Sequence, residues 1–285
     1  GFVSRGLGDV YKRQVSISQK KHIMDLAVQF DMQHSNTQLQ PMEPTLKLDK
    51  HEGGSTEHPF QSLLGSLLWI ARKTRPDAYF SVIYLARHCT SYGLSHWRAL
   101  KKLLSYVIST AEYTLNFKAS SSATKLQVTA YSDSDWANDT VDRKSYSGSM
   151  IYLDGNLIEW NTSRQHCVTT SSTEAEYIAT SDTAKNMLHI MYVCSEFSPV
   201  DLPMILMLDN KGAEFIAQNK VNNKRSKHID IRYHMIRDWI EKGYIKLKHV
   251  NTHDNPADLM TKALSKEKTA KFANMSMQMD VGIKK

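Results

Sequence analysis

Four short acidic segments in the second half of the chain constrain its fold and function more than any other feature. Asp133 ends a strand-like alternation of apolar and polar residues, and Asp209 ends a short apolar run. Glu174 and Glu176 lie in a helix-like segment, and Asp258 stands at the start of another. Carboxylates gathered at the ends of neighbouring elements form an oxygen-rich pocket, which suits hard cations such as Mg²⁺. The order of these segments therefore predicts a metal site.

The overall charge is the second clue to function. Of the 285 residues, 41% are hydrophobic, which is enough to bury a core in one large domain or two ordinary ones. The formal net charge is +7. A positive net charge together with a cluster of acids indicates a polyanionic partner that binds at a metal site. The same net charge also fits a basic protein with no such partner.

The cysteines and the apolar runs exclude other classes. Cys89, Cys167 and Cys194 are far apart and form no C-x-x-C pair, which argues against a disulfide framework or a structural zinc site. No apolar run reaches the roughly 18 residues typical of a membrane span, so we expect no membrane partner.

The first half of the chain is predicted to be mainly helical. Residues 1–14 do not match the pattern that follows, and we interpret them as adapter-like sequence outside the fold. Apolar residues recur at helical spacing over 15–117. The small polar residues 118–125 predict a linker, and the Lys- and Met-rich residues 265–285 predict a flexible tail.

The second half, residues 126–264, predicts an α/β fold. Three strand-like segments come first, and Asp154-Gly155-Asn156 between the second and third is a hairpin signal. The later segments are predicted as a long helix (173–194), a strand (204–208), a short helix (211–218), a basic loop (221–227), an amphipathic helix (229–242) and a fifth strand (245–250). Pro256 is predicted in the first turn of a last helix that ends near Leu264. Together these elements predict a mixed five-stranded sheet flanked by helices.

Several segments resemble one family. Residues 131–137 (YSDSDWA), 142–145 (DRKS), 171–177 (SSTEAEY), 208–210 (LDN), 227–234 (KHIDIRYH) and 257–262 (ADLMTK) resemble the ribonuclease H domain of copia-type retrotransposon Pol polyproteins. Residues 17–22 (ISQKKH), 64–68 (LGSLL), 74–77 (TRPD) and 96–97 (HW) resemble the end of the reverse transcriptase in the same polyproteins. The resemblance implies a ribonuclease H-like domain over 126–264, preceded by a thumb- or connection-like region over 15–117.

The resemblance also exposes a missing motif. The polymerase site of this family is a Tyr-x-Asp-Asp turn, and this chain contains no adjacent Asp-Asp pair. We therefore expect no polymerase activity from this chain alone, and the remainder of the Pol polyprotein becomes an expected partner. The implied location is the cytoplasm, within virus-like particles, or the nucleus.

A four-carboxylate site is implied by the same resemblance. Its members are Asp133, Glu176, Asp209 and Asp258, which would bind two Mg²⁺ ions, with Mn²⁺ as a substitute, and hydrolyse the RNA strand of an RNA–DNA hybrid. Two alternatives stay open, because Asp135 shares the strand face of Asp133 and Glu174 lies two residues before Glu176. Glu174 and Glu176 cannot share a helical face, so only one of them can point to the metals. Each acid taken singly also fits a turn or a helix N-terminus.

Other residues are candidates for substrate contact. His253 matches the place where related ribonucleases H carry a histidine that assists the leaving group, although a surface histidine fits equally well. The residues predicted to bind nucleic acid are Arg143, Lys144, Lys224, Arg225, Lys227, His228 and Arg232. The competing hypothesis is a catalytically inactive remnant that binds nucleic acid or serves a structural role, because a fold does not guarantee an activity.

Overall fold

The computed structural model describes residues 14–49, 51, 57–119, 124–136, 143–210 and 227–279, with the backbone alone for 227–231 and 233. The chain divides into two compact units. We call the first the helical unit, which runs to Lys118 and resumes at Lys262, and the second the sheet unit, which comprises Ala119–Thr261. None of the helices in the described ranges is long and apolar enough to cross a membrane.

The helical unit consists of helices and one small sheet. Its helices are α1 (Lys20–Gln29), α2 (Phe60–Lys73), α3 (Pro76–Ala86) and α4 (Leu94–Ser109), with α7 (Lys266–Met277) joining them from the end of the chain. Strands β1 (Gln14–Ile17) and β2 (Leu115–Lys118) pair antiparallel. This two-stranded sheet was not predicted, because each strand is only four residues long and β1 is mostly exposed.

Helix α2 shows why this unit folds as helices. Phe60, Leu63, Leu67 and Ile70 recur every three or four residues, and each is buried. This spacing places them on one face, so the helix buries a continuous apolar stripe while its other face meets solvent. The predicted helical character of this region is therefore confirmed where the structure describes it.

The prediction of a flexible tail was wrong for residues 265–277, and residues 280–285 of the predicted tail lie outside the described residues. Ser265 caps α7 by accepting a hydrogen bond from the Lys268 backbone N–H at 3.4 Å. The helix buries residues at positions 269, 272, 273, 276 and 277, which is the spacing of an amphipathic helix. Its last residue, Met277, accepts a hydrogen bond at 3.0 Å from the Asn116 side chain within the same unit. The Lys-rich composition obscured a helical period that was present in the sequence.

The sheet unit is built on the predicted mixed five-stranded sheet. Its strands are β3 (Val128–Asp135), β4 (Tyr146–Leu153), β5 (Asn156–Arg164), β6 (Met204–Leu208) and β7 (Ile245–His249), in the spatial order β5-β4-β3-β6-β7. The first three strands pair antiparallel, and β6 is parallel to both β3 and β7. In the part of this unit that the structure describes, helices α5 (Ser172–Ser195) and α6 (Lys227–Glu241) accompany the sheet. The predicted α/β fold class, with a mixed five-stranded sheet flanked by helices, is confirmed.

The predicted last helix after Pro256 was wrong in type and length. The structure has two short 3₁₀ helices, Thr252–Asp254 and Pro256–Met260. Asn255 between them accepts a hydrogen bond from the Ala257 backbone N–H at 3.2 Å and donates one at 3.0 Å to the Ser132 carbonyl on β3. Because this asparagine ties the segment to the sheet, the chain turns tightly here rather than continuing as an α-helix.

Several predicted segments lie wholly or partly outside the described residues. They are residues 1–13 of the adapter-like segment, 120–123 of the predicted linker, the predicted helix over 211–218, and 221–226 of the basic loop. Gln14, which we assigned to the adapter-like segment, begins β1, and Lys118, which we assigned to the linker, ends β2.

Gly148 provides a test of how the second 3₁₀ helix packs on the sheet. A Cβ at Gly148 would lie 2.6 Å from Met260 Cβ and 2.7 Å from Thr261 Cγ2. We expect Gly148→Ala to lower the free energy of unfolding by about 1–3 kcal/mol, the usual cost of overpacking. The control is Gly65→Ala in α2, where an added Cβ meets no atom within 4 Å and should stabilise the helix by about 0.5–1 kcal/mol. Denaturant unfolding measures both, and equal effects would contradict the described packing.

Candidate metal site

Three of the predicted carboxylates meet at one edge of the sheet. Asp133, Glu176 and Asp209 each offer an oxygen atom, and these atoms all lie within 4.8 Å of one another. We call this group the carboxylate triad. Asp133 lies near the end of β3, Asp209 directly follows β6, and Glu176 lies in the early part of α5.

The parallel pairing of β3 and β6 explains why the two aspartates meet. The register pairs Tyr131 with Met207, and each aspartate lies two residues further along the chain. Parallel neighbours end at the same edge of a sheet, and residues two apart share a face. Helix α5 brings the third carboxylate, since its start is fixed by Ser171, whose hydroxyl accepts a hydrogen bond from the Glu174 backbone N–H at 3.2 Å.

The electrostatics of the carboxylate triad favour a bound cation. Asp133 is 2% exposed and Glu176 is 8% exposed, whereas Asp209 is partly exposed. Burial raises the pKa of Glu176 well above its ordinary value, and the negative charges of Asp133 and Asp209 raise it further. A divalent cation would relieve this repulsion, and carboxylate oxygens are the ligands that Mg²⁺ prefers. The three residues therefore fit the metal that the sequence predicts.

Hydrogen bonds fix the triad from two sides. The Ser134 backbone N–H donates to Glu176 Oε1 at 3.2 Å. The Thr261 hydroxyl donates to Asp133 Oδ2 from just after the second 3₁₀ helix. Sequence reasoning missed the role of Thr261, although this threonine lies in the segment 257–262 that resembles the family.

Asp258 is placed close to these supports but outside the triad. It is fully buried in the second 3₁₀ helix. Its carbonyl accepts a hydrogen bond at 3.4 Å from the hydroxyl of Thr261, which also reaches Asp133. Among the described residues, the group of mutually close carboxylates comprises the other three acids. A metal-binding role for Asp258 stays a prediction.

The two alternative acids have other surroundings. Glu174 Oε2 accepts hydrogen bonds at 2.7 Å from both the backbone N–H and the hydroxyl of Thr170. This carboxylate therefore stabilises the turn before α5. Asp135 ends β3 and is partly exposed. The carboxylate triad contains neither of them.

The predicted substrate-contacting residues are spread over the sheet unit. His253 is exposed on the first 3₁₀ helix. Arg143 is exposed with a positive φ of 59°, and Lys144 beside it is partly buried. Arg232 on α6 donates a hydrogen bond at 2.6 Å to Asp182 on α5, so it links the two helices. Lys224 and Arg225 lie outside the described residues, and Lys227 and His228 are described only as backbone of α6. The predicted contacts of these residues with nucleic acid stay predictions.

The crowding of charge around Glu176 predicts a pH-dependent stability. A carboxyl group with a raised folded pKa contributes stability that is present below its unfolded pKa and is lost as pH rises through the folded pKa. Without metal, Glu176→Gln should therefore raise the melting temperature at neutral pH, and the gain should vanish near pH 4. Added Mg²⁺ should raise the melting temperature of the wild type more than that of the variant. Thermal unfolding with EDTA or Mg²⁺ measures both effects, and a variant less stable than wild type in EDTA would contradict the repulsion.

Comparison with known proteins places the chain in a family. No protein-family model matches it. The chain is 34% identical over 271 residues to the "Retrovirus-related Pol polyprotein from transposon RE2" of Arabidopsis thaliana. The aligned region covers 93% of this chain and 18% of that polyprotein. The chain is 32% identical over 264 residues to the corresponding polyprotein from transposon TNT 1-94 of Nicotiana tabacum, with 90% and 20% covered.

A solved structure matches part of the chain. LC11-RNase H1 in complex with an RNA/DNA hybrid matches 47% of this chain and 94% of its own length, at 15% identity and a TM-score of 0.35. The two matched polyproteins are much longer than this chain, which spans 18% of one and 20% of the other. The similarity to them nevertheless runs through both the helical and the sheet unit, and the chain belongs to the Pol polyproteins of copia-type retrotransposons.

Proposed function

We propose that the sheet unit is a ribonuclease H that hydrolyses the RNA strand of RNA–DNA hybrids with the help of divalent metal ions. The observation that carries the proposal is the carboxylate triad, whose oxygen atoms lie within 4.8 Å of one another. The triad stands at the edge of the sheet where two parallel strands end, in a chain that belongs to retrotransposon Pol polyproteins. Burial and the charges of Asp133 and Asp209 disfavour the charged form of Glu176, and a bound divalent cation would offset this cost.

The residues of the triad would hold the metal ions. Asp133 and Asp209 would bind from the ends of β3 and β6, and Glu176 would bind from α5, with Asp258 as a predicted fourth ligand. Two divalent ions in such a site supply an activated water and stabilise the departing oxygen. The Thr261 hydroxyl and the Ser134 N–H hold two of the carboxylates in place, so the ligands are preorganised.

The reaction would leave defined products. Water adds its oxygen to the phosphorus, and the bond from phosphorus to the 3′ oxygen breaks. The products would be a 5′-phosphate and a 3′-hydroxyl, and we propose that His253 assists the leaving group. The 2′-hydroxyls mark the RNA strand along the backbone. The basic residues that precede and begin α6, together with Arg143 and Lys144, are proposed to contact phosphates.

The test uses the whole chain and a hybrid labelled on each strand in turn. In Mg²⁺ or Mn²⁺, the wild type should cleave the RNA strand and leave the DNA strand intact. EDTA and the variants Glu176→Gln and Asp209→Asn should abolish cleavage. A folded wild-type protein that binds the hybrid without cutting it would overturn the proposal and leave a nucleic-acid-binding remnant as the better explanation.

A further inference from the structure

Trp136 is an exposed aromatic side chain beside the proposed active site. It follows the last residue of β3 and is 46% exposed. Its Cα lies three residues along the chain from that of Asp133, so the two backbone positions are at most about 10 Å apart. A large indole that stays half in water next to a set of buried acids adds little to the core of the sheet unit.

The indole is nevertheless held in a defined place. Its Nε1–H donates a hydrogen bond at 3.3 Å to the carbonyl of Thr169, which is a buried residue just before α5. The Thr169 hydroxyl in turn lies 3.2 Å from that of Ser145. The hydrogen bond therefore fixes the Nε1 edge of the indole against the protein, while the residue stays 46% exposed.

The segment that accepts this bond is itself fixed. Gln165 donates from Nε2 to Ser147 Oγ at 2.8 Å and to the Ala175 carbonyl at 2.9 Å. The carboxylate of Glu174 holds Thr170 at the other end of the segment. Val168, between these anchors, is 55% exposed. Trp136 and Val168 thus stand on anchored backbone, and we call the pair the apolar platform.

We propose that the apolar platform is a substrate-contacting surface, in which Trp136 packs against the sugar rings of the bound RNA–DNA hybrid. The inference rests on the proposed function, because the occupant is the hybrid that the carboxylate triad would cut. A-form helices present a wide, shallow minor groove lined by sugars and 2′-hydroxyls, which a flat indole can approach. Trp136 directly follows β3, and its indole is hydrogen-bonded to the segment that leads into α5, the helix that carries Glu176, so it would meet the hybrid close to the cleaved phosphate.

This proposal gives Asp133 and Trp136 different roles. Asp133 would act on the phosphate through the metal, whereas Trp136 would only bind and align the duplex. A binding residue changes KM, and a residue that acts only in the transition state changes kcat. Loss of an aromatic contact with nucleic acid typically weakens binding by roughly 5- to 150-fold. We therefore expect Trp136→Ala to raise KM about tenfold and to leave kcat within about twofold of wild type.

The first experiment is steady-state cleavage of the hybrid by wild type, Trp136→Ala, Trp136→Phe and Trp69→Ala. Trp136→Phe retains a ring and should recover most of the affinity. Trp69 is the matched control, because it is also 46% exposed but lies in α2 of the helical unit. A KM for Trp136→Ala no higher than that of Trp69→Ala would overturn the proposal while leaving the proposed ribonuclease activity intact.

The second experiment does not depend on cleavage. The chain has five tryptophans, and the hybrid is titrated into the Glu176→Gln variant while their fluorescence is followed. We expect the change in emission to disappear when Trp136→Phe is added and to persist when Trp69→Phe is added. If the wild type cuts no hybrid, the proposed function fails. The titration then tests by itself whether Trp136 contacts the hybrid. A fluorescence change that survives Trp136→Phe refutes the contact.

Discussion

Asp133→Asn and Glu176→Gln are each expected to lower the rate of hybrid cleavage by more than about 100-fold, because removing even an outer partner of a metal ligand typically costs 10- to 100-fold. Asp135→Asn and Glu174→Gln should retain most of the activity. The four variants carry the same chemical change, from carboxylate to amide. They differ only in whether the carboxylate belongs to the triad.

The contacts of Glu174 and of the triad explain this contrast on α5. The Glu174 carboxylate is engaged by Thr170, at 2.7 Å from its N–H and from its hydroxyl, so it fixes the turn before α5. An amide oxygen in Glu174→Gln can still accept these hydrogen bonds. Asp133 and Glu176 have oxygen atoms within 4.8 Å of each other and of Asp209. An amide there keeps the shape of the side chain but removes the charge that attracts a divalent ion.

Initial rates at saturating Mg²⁺ and a series of Mg²⁺ concentrations check this prediction. The triad variants should lose activity at every concentration tested, while the controls should follow the wild-type titration. A stronger loss from Glu174→Gln than from Glu176→Gln would mean that the helix presents its other acid to the metal. The same test on β3 compares Asp133 with Asp135.

Sequence reasoning could predict the acids of the site because each has a local signal. Asp133 and Asp209 follow apolar runs of strand type, and the long helix that carries Glu176 was predicted close to its observed bounds, Ser172–Ser195. Parallel pairing of β3 with β6 then brings the two strand ends together. The mixed five-stranded sheet was predictable for the same reason, since the order of strand and helix patterns restricts the topology.

The features that escaped prediction depend on partners far away in the sequence. The Thr261 hydroxyl meets a carboxylate 128 residues earlier, and the Asn255 side chain meets a carbonyl 123 residues earlier. The pairing of β1 with β2 likewise joins residues about a hundred positions apart. Local periodicity carries no information on such contacts. Helix α7 is a different case, because its residues at helical spacing could be found in the sequence. The prediction failed there because it relied on the Lys- and Met-rich composition.

The segment 74–77 acquired a physical explanation only from the structure. Its resemblance to the family was visible in the sequence, but the role of the charges on either side of Pro76 was not. Arg75 and Asp77 are both fully buried, and Arg75 Nη2 lies 2.6 Å from Asp77 Oδ2. The Tyr106 hydroxyl donates to the same carboxylate oxygen at 2.6 Å. The buried ion pair therefore lies at the start of α3, and the hydrogen bond from Tyr106 joins it to α4.

The surroundings of this pair keep both charges in place. Burial alone would lower the pKa of Arg75, but the charge and hydrogen bonds of Asp77 outweigh it and hold that pKa above its ordinary value. The guanidinium also donates at 3.1 Å to the Thr110 carbonyl from Nη1, and it lies 5.0 Å from the centre of the Tyr113 ring. Both the guanidinium and the carboxylate therefore have partners beyond each other.

Arg75→Ala is expected to lower the free energy of unfolding of the helical unit by about 3–5 kcal/mol, because it leaves the Asp77 carboxylate buried without its cation. The matched control is Lys102→Ala, which breaks an ion pair with Glu43 of the same 2.6 Å length whose side chains are 38% and 46% exposed. An exposed pair contributes only about 0–1 kcal/mol. Amide hydrogen exchange in α3 and α4 measures both variants within the helical unit itself.

The double variant Arg75→Met with Asp77→Leu separates the value of the ion pair from the cost of breaking it. Replacing both charges with apolar side chains of similar volume removes the uncompensated carboxylate, and such replacements of buried pairs are often neutral or stabilising. We therefore expect the double variant to be markedly more stable than Arg75→Ala, although the Tyr106 hydroxyl loses its acceptor. If the double variant were as unstable as Arg75→Ala, the ion pair itself would be a net source of stability. Near-wild-type stability would instead mean that the two charges mainly fix the position of α3 against α4.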